Sequence, residues 1–167
     1  MNDKTKKIVL ASMMAALVFI ATIIIRIPMP SIGYVNLGDC FVLLSGWVLG
    51  PIYGGLAAGI GSAIADLSAG WASYAPVTFV IKALMAVVSY YIGVKLSKVK
   101  ENIFLKIISA VVAEIIMIGG YLVFEGILFG FGAALVNVPF NAVQGFVGLI
   151  AGLVVLNVYN KAVKPLI

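Results

Sequence analysis

The 167-residue chain has no histidine and a single cysteine, Cys40. Those shortages remove the usual zinc and haem ligands, the histidine-dependent catalytic triads and any internal disulfide. Charge is scarce as well. Only 10% of the residues are Asp, Glu, Lys or Arg, against about a quarter in a soluble domain. The glycines of "GPIYGGLAAGIGSA" lack the G-K-[ST] ending of a phosphate-cradling loop. No constellation in the sequence supports catalysis, so an enzyme is not expected.

What fills the chain is apolar: 63% of residues are hydrophobic, and the mean hydropathy is +1.20. A water-soluble fold of this size could not hide so much apolar surface, so an integral membrane protein is expected. The first apolar run, 8–25, follows Lys4, Lys6 and Lys7. It has the length of a full span and no clear cleavage site before Pro28 and Pro30, which reads as a retained span rather than a signal peptide.

A helix needs about 20 residues to cross roughly 30 Å of hydrocarbon. On that ruler the chain is an all-α membrane protein, a single domain over 1–167 with six transmembrane helices at 8–26, 36–49, 52–70, 76–96, 103–125 and 134–159. The second is short and is expected to begin below the surface or to be extended by backbone that lines a cavity. An even number of spans puts both termini on one side. Lys4, Lys6, Lys7, Lys95, Lys98, Lys100, Lys106, Lys161 and Lys164 gather there, and only Arg26 marks the other, which makes the termini cytoplasmic. The net charge of +5 is thus accounted for by topology, and nucleic acid is not an expected partner.

The outer connections are 27–35, 71–75 and 126–133. The first, "IPMPSIGYV", is stiffened by Pro28 and Pro30 and shows no regular pattern. Tyr34, Trp71 and Tyr74 belong near the outer interface, either as an aromatic belt or closing over a ligand. In the third span Gly54, Ala58, Ser62 and Asp66 recur at steps of four, a small-residue stripe that permits close helix packing and turns Asp66 away from lipid.

Ionisable and amide residues within the spans are the candidate site. Asp39 is expected near the start of the second span, with Asn36 as its cap. Asp66 and Lys82 fall at similar depths on consecutive helices, where a mutual ion pair lessens the penalty of charge in the membrane. The pair is either structural or faces a ligand, since intramembrane charges mark sites and pathways. Asn137, Asn141 and Gln144 share one face of the sixth span and point inward, as interhelical links or as donors and acceptors for a small polar heterocycle. Glu114 lies near mid-membrane and Glu125 near the outer end of the fifth span.

The run "LGDCFVLLSGWVLGPIYGGLAAGIGSAIADL", the following "YAPVTFVIKALMA" and an A-x-x-x-A pair in the first span together resemble the S components of energy-coupling factor transporters. The nearest branch is that for riboflavin-like, hydroxymethylpyrimidine and pyridoxine-type substrates. The resemblance implies a vitamin-binding subunit of a prokaryotic plasma membrane with no ATPase or cofactor of its own. Its partners would be a small vitamin-like substrate, a transmembrane coupling subunit and two ATP-hydrolysing subunits. It also implies that Ala11 and Ala15 contact the coupling subunit and that 27–35 gates an outward-facing pocket. An "IDFS"-type sequence associated with riboflavin binders is replaced here by "VNLGD", which favours a smaller vitamin or precursor. The reading from another class is a self-standing channel or scaffold. A channel, however, needs a continuous polar lining, and the polar groups gather in the outer half.

Overall fold

The computed structural model describes residues 2–30, 33–97 and 102–164. Lys98 and Lys100, and Ser31 and Ile32 of the proline-bearing connection, lie outside the described residues. Among the described residues are five α-helices: α1 (Asp3–Ile24), α2 (Asp39–Ser68), α3 (Ala75–Tyr90), α4 (Ile103–Phe129) and α5 (Phe131–Val158). All five are long and apolar enough to cross a membrane. Two short strands, β1 (Arg26–Pro28) and β2 (Tyr34–Asn36), lie between α1 and α2.

Local chemistry sets the boundaries. The Asn2 side chain accepts from the Lys4 amide, and that of Asn102 from Phe104 and Leu105, capping α1 and α4. Pro76 falls in the first turn of α3, where its missing N–H costs nothing. The expected loop 126–133 is instead helical up to Phe129 and again from Phe131. The whole reversal is made at Gly130, whose φ of 88° is open to glycine and strained for other residues.

α2 is not straight. Gly50, with φ 80° and ψ −176°, interrupts it just before Pro51. The Ser45 hydroxyl donates to the Gly54 carbonyl at 3.0 Å, whereas nine residues of straight helix would separate them by about 13 Å. The arms 39–49 and 51–68 therefore run back along each other. They are joined so closely that a Cβ on Gly54 would collide with the Ser45 carbonyl.

The connection 27–35, expected to be irregular, forms an antiparallel hairpin pairing Arg26 with Asn36, Ile27 with Val35 and Pro28 with Tyr34. Asn36 is consequently a strand residue. Its side chain accepts from the Gly38 amide at 2.8 Å, and helix begins only at Asp39. The second helical segment is thus shorter than expected, because Asn36 belongs to the hairpin and Leu37 and Gly38 form the turn into the helix.

The bundle closes where small residues let helices meet. Gly46 meets Ala86 so closely that a Cβ would clash with the Ala86 backbone, and Gly61 does the same against Ala15 of α1. Val18, Val42, Leu43, Met85, Ala86 and Met117 form the centre of the core. Gly54, Ala58, Ser62 and Asp66 are all buried, as the spacing predicts. The outward faces carry Ile52, Ile127 and Phe146 in the open, a surface suited to lipid rather than water. Lys4, Lys6, Lys7, Lys95, Lys106, Lys161 and Lys164 sit at the end opposite the hairpin, and Arg26 sits in it.

Candidate functional site

The helix ends beneath the β-hairpin surround a small cavity of about 30 Å³. The hairpin contributes Met29, Gly33, Tyr34 and Asn36, and α2 contributes Asp66 from its last turn. Trp71 and Tyr74 come from the following turn, Thr78 from α3, Tyr121 and Glu125 from α4, and Asn141 and Gln144 from α5.

Hydrogen bonds tie this lining together. The Tyr34 hydroxyl donates to Asp66 Oδ1 at 2.7 Å, fastening the hairpin to the end of α2. The Asn36 amide donates to Gln144 Oε1 at 2.9 Å, fastening it also to α5. The Tyr74 hydroxyl donates to Glu125 Oε1 at 3.3 Å. Thr78 and Tyr121 share a hydroxyl–hydroxyl bond of 3.1 Å. Tyr74 packs edge-on against both Trp71 and Phe124, with ring centroids 5.5 and 5.0 Å apart. Burial and the nearby carboxylates push the Tyr34 and Tyr74 phenols above their ordinary range, so both remain donors.

Directly below lies a second polar centre. Lys82 forms an ion pair with Asp39, and Gln144 Nε2 donates to the other Asp39 oxygen at 2.7 Å. Asp39 is completely buried. The expected Lys82–Asp66 pair is not formed, and Asp39 does more than cap a helix. The physical reason is the reversal at Gly50, together with the late start of α2. Asp39 is thereby set deep in the bundle, level with Lys82, while Asp66 is held near the hairpin by Tyr34. Glu114 is buried beside this centre, and neither of its carboxyl oxygens has a hydrogen-bond partner. A Cβ on Gly148 would lie 2.7 Å from Asp39 Cβ and 3.4 Å from Glu114 Oε1, so only glycine lets the three helices meet here.

Of the residues singled out in the sequence, Tyr34, Asp66, Trp71, Tyr74, Asn141 and Gln144 line the cavity. Asn137 stands behind it, donating to Glu125 Oε2 at 2.9 Å. Lys82 is not in the lining. Its ammonium lies over the Tyr121 ring, 5.7 Å from the centroid. Ala11 and Ala15 are elsewhere, in an apolar groove between α1 and the 51–68 arm of α2. Sequence reasoning passed over Asn36, Thr78, Tyr121 and Glu125 as site residues. Two helical spacings carried a signal: Thr78 lies four residues before Lys82, and Tyr121 four before Glu125, each pair on one face.

The sequence profile of the ECF-type riboflavin transporter, S component, matches residues 2–161. A protein of Pyrococcus woesei described as "Uncharacterized protein in gap 3'region" is 34% identical over 151 residues, covering 90% of this chain and 99% of that protein. The "Thiamine precursor transporter HmpT" of Lactococcus lactis subsp. cremoris (strain MG1363) is 26% identical over 168 residues, covering 99% and 90%. A solved structure, "Structure and mechanism of the S component of a bacterial ECF transporter", superposes with a TM-score of 0.74 at 22% identity, covering 97% of this chain and 99% of the other. That agreement establishes the fold, and the profile spans nearly the whole sequence. The chain therefore belongs to the ECF-type riboflavin transporter S component family, and is a multi-pass membrane transport subunit rather than an enzyme.

Proposed function

We propose that this chain binds a small vitamin or vitamin precursor, of pyridoxine or hydroxymethylpyrimidine type, in the cavity beneath the hairpin. It delivers that ligand inward when docked on a coupling subunit with two ATP-hydrolysing subunits. ATP chemistry belongs to those partners, and this chain needs no cofactor. The two arms of α2 count as separate crossings, so the chain is a single six-helix transmembrane domain. The basic residues opposite the hairpin favour cytoplasmic termini and an outward-facing cavity. Tyr34, Asp66, Trp71, Tyr74, Asn141 and Gln144 touch the ligand. Asn137 and Lys82 support Glu125 and Asp39 from behind.

The observation that carries this reading is the cavity itself. It combines aromatic walls with convergent polar groups, the make-up usual for small-molecule sites. Among the described residues the hairpin is tied down through the Tyr34 bond to Asp66 and two bonds from Asn36 to Gln144, a construction suited to a lid. The relative named a thiamine precursor transporter agrees with a single-ring ligand. Riboflavin is the second reading, favoured by the name of the family.

Titration calorimetry of the purified protein with 4-amino-5-hydroxymethyl-2-methylpyrimidine, pyridoxine and riboflavin separates the two. A single-ring compound is expected to bind and riboflavin to fail. Tight binding of riboflavin alone would reverse the choice of substrate.

A further inference from the structure

The charged groups that line the cavity, Asp66 and Glu125, are both acidic. Both are buried, with 7% and 2% of their surface exposed. Their partners are neutral donors: Thr78 and Tyr34 for Asp66, and Tyr74 and Asn137 for Glu125. The nearby cations are engaged elsewhere. Lys82 is paired with Asp39 and lies over the Tyr121 ring, and Arg26 stands over the Tyr34 ring, 5.9 Å from its centroid. Each carboxyl group can accept about four hydrogen bonds, so spare acceptor capacity faces the cavity. Two carboxyl groups at this depth are poorly compensated by the protein alone. The walls of Tyr34, Trp71, Tyr74 and Tyr121 present ring faces, and such faces attract flat and positively charged groups.

We propose, resting on the substrate reading above, that Asp66 and Glu125 make the site selective for a protonatable nitrogen heterocycle bearing an amino group. An aminopyrimidine edge places an exocyclic N–H beside a ring nitrogen. Once the ring nitrogen is protonated, that pair donates two parallel hydrogen bonds to one carboxylate. A hydroxymethyl substituent supplies a further donor for the second carboxyl group. A 4-oxo ring turns a carbonyl oxygen toward the same acceptors and leaves one of them unmatched, and a carboxylated or phosphorylated ring adds like charge. Buried polar groups left unpaired are the usual source of strong discrimination between analogues.

Titration calorimetry on the full chain in lipid nanodiscs, with the amino compound named above, its 4-oxo counterpart and riboflavin, tests this. The amino compound is expected to bind at least thirtyfold more tightly than the 4-oxo compound. Asp66→Asn and Glu125→Gln keep the shape of each group, and each is expected to weaken the amino compound at least tenfold while narrowing its advantage. Equal affinities of the two pyrimidines for the unaltered protein would overturn the proposal with the single-ring reading intact, whatever the variants do. An undiminished preference in both variants would also overturn it. Riboflavin as the sole binder would overturn the substrate class and this selectivity together.

Discussion

The cavity beneath the hairpin and the groove along α1 are built on opposite rules. The cavity carries two carboxyl groups, three amides and four aromatic rings, most of them held by a named hydrogen bond. The groove is lined by Ile8, Ala11, Ala15, Phe19, Leu56 and Ile60, and its main polar features are the hydroxyls of Ser12 and Tyr53. A hydrogen-bonded wall fixes direction and suits recognition of one small molecule. A smooth wall of small and aliphatic side chains permits close approach of another helix without fixing its angle. The difference fits the proposal that ligand is selected at one end of the bundle and a partner docks on the flank of α1.

Filling the groove is the most drastic way to break that division. Ala15→Trp is expected to abolish transport in vesicles containing the complete coupling module, with ligand affinity of the isolated chain within about threefold of normal. Lost binding with assembly intact would mean that the groove, and not the cavity, supports the ligand.

Lys82→Met attacks the centre below the cavity. It leaves Asp39 buried without its cation, and unfolding should become easier by about 3–5 kcal/mol. Lys82→Met combined with Asp39→Asn retains an acceptor for Gln144 and should recover most of that loss in thermal unfolding. Recovery of ligand binding in the same double variant would confirm that Lys82 acts from behind the lining, not in it.

A smaller effect is expected from Gln144→Leu. This change strips Asp39 of one donor and the Asn36 amide of its acceptor, at about 1–3 kcal/mol. Hydrogen exchange at residues 34–36 should rise severalfold, with little change in α1. Uniform protection across the hairpin would show that its closure does not depend on α5.

Tyr34→Phe is the mildest. It removes one bond to Asp66, about 1 kcal/mol, and keeps the ring. Dissociation of the ligand should quicken severalfold while the melting temperature of the empty protein stays nearly constant. If the melting temperature falls and dissociation is unaltered, the bond belongs to the fold and not to the lid.

Much of this could be read before any coordinates. Hydropathy and the length of helix needed to cross a bilayer told that the chain is all-helical and crosses a membrane several times. Steps of four along the 51–68 arm told which face of it is packed, and Asn137, Asn141 and Gln144 fell on one inward stripe. Those inferences succeed because they depend on periodicity within one element. The Lys82 partner was missed because choosing between Asp39 and Asp66 requires the relative depth of two helices, and depth is set by the turn at Gly50 and by where helix actually begins. Glu125 was seen as polar and near an end, yet its place in the lining depends on α4 running on to Phe129 and reversing within one residue.

The sequence by itself determined that the chain lives in a membrane, that it carries no metal-binding or nucleophilic machinery of a familiar kind, and which faces turn inward. Each follows from composition or from a repeat along a single helix, where the physics is local. Only the tertiary structure decided which acid neutralises Lys82, which acids remain open to a ligand, and that a proline-bearing loop becomes a strand-paired cover. Those outcomes depend on distances between residues far apart in the chain. In hydrocarbon a displacement of a few ångströms separates a paired charge from an unpaired one, and no pattern along the sequence encodes that displacement.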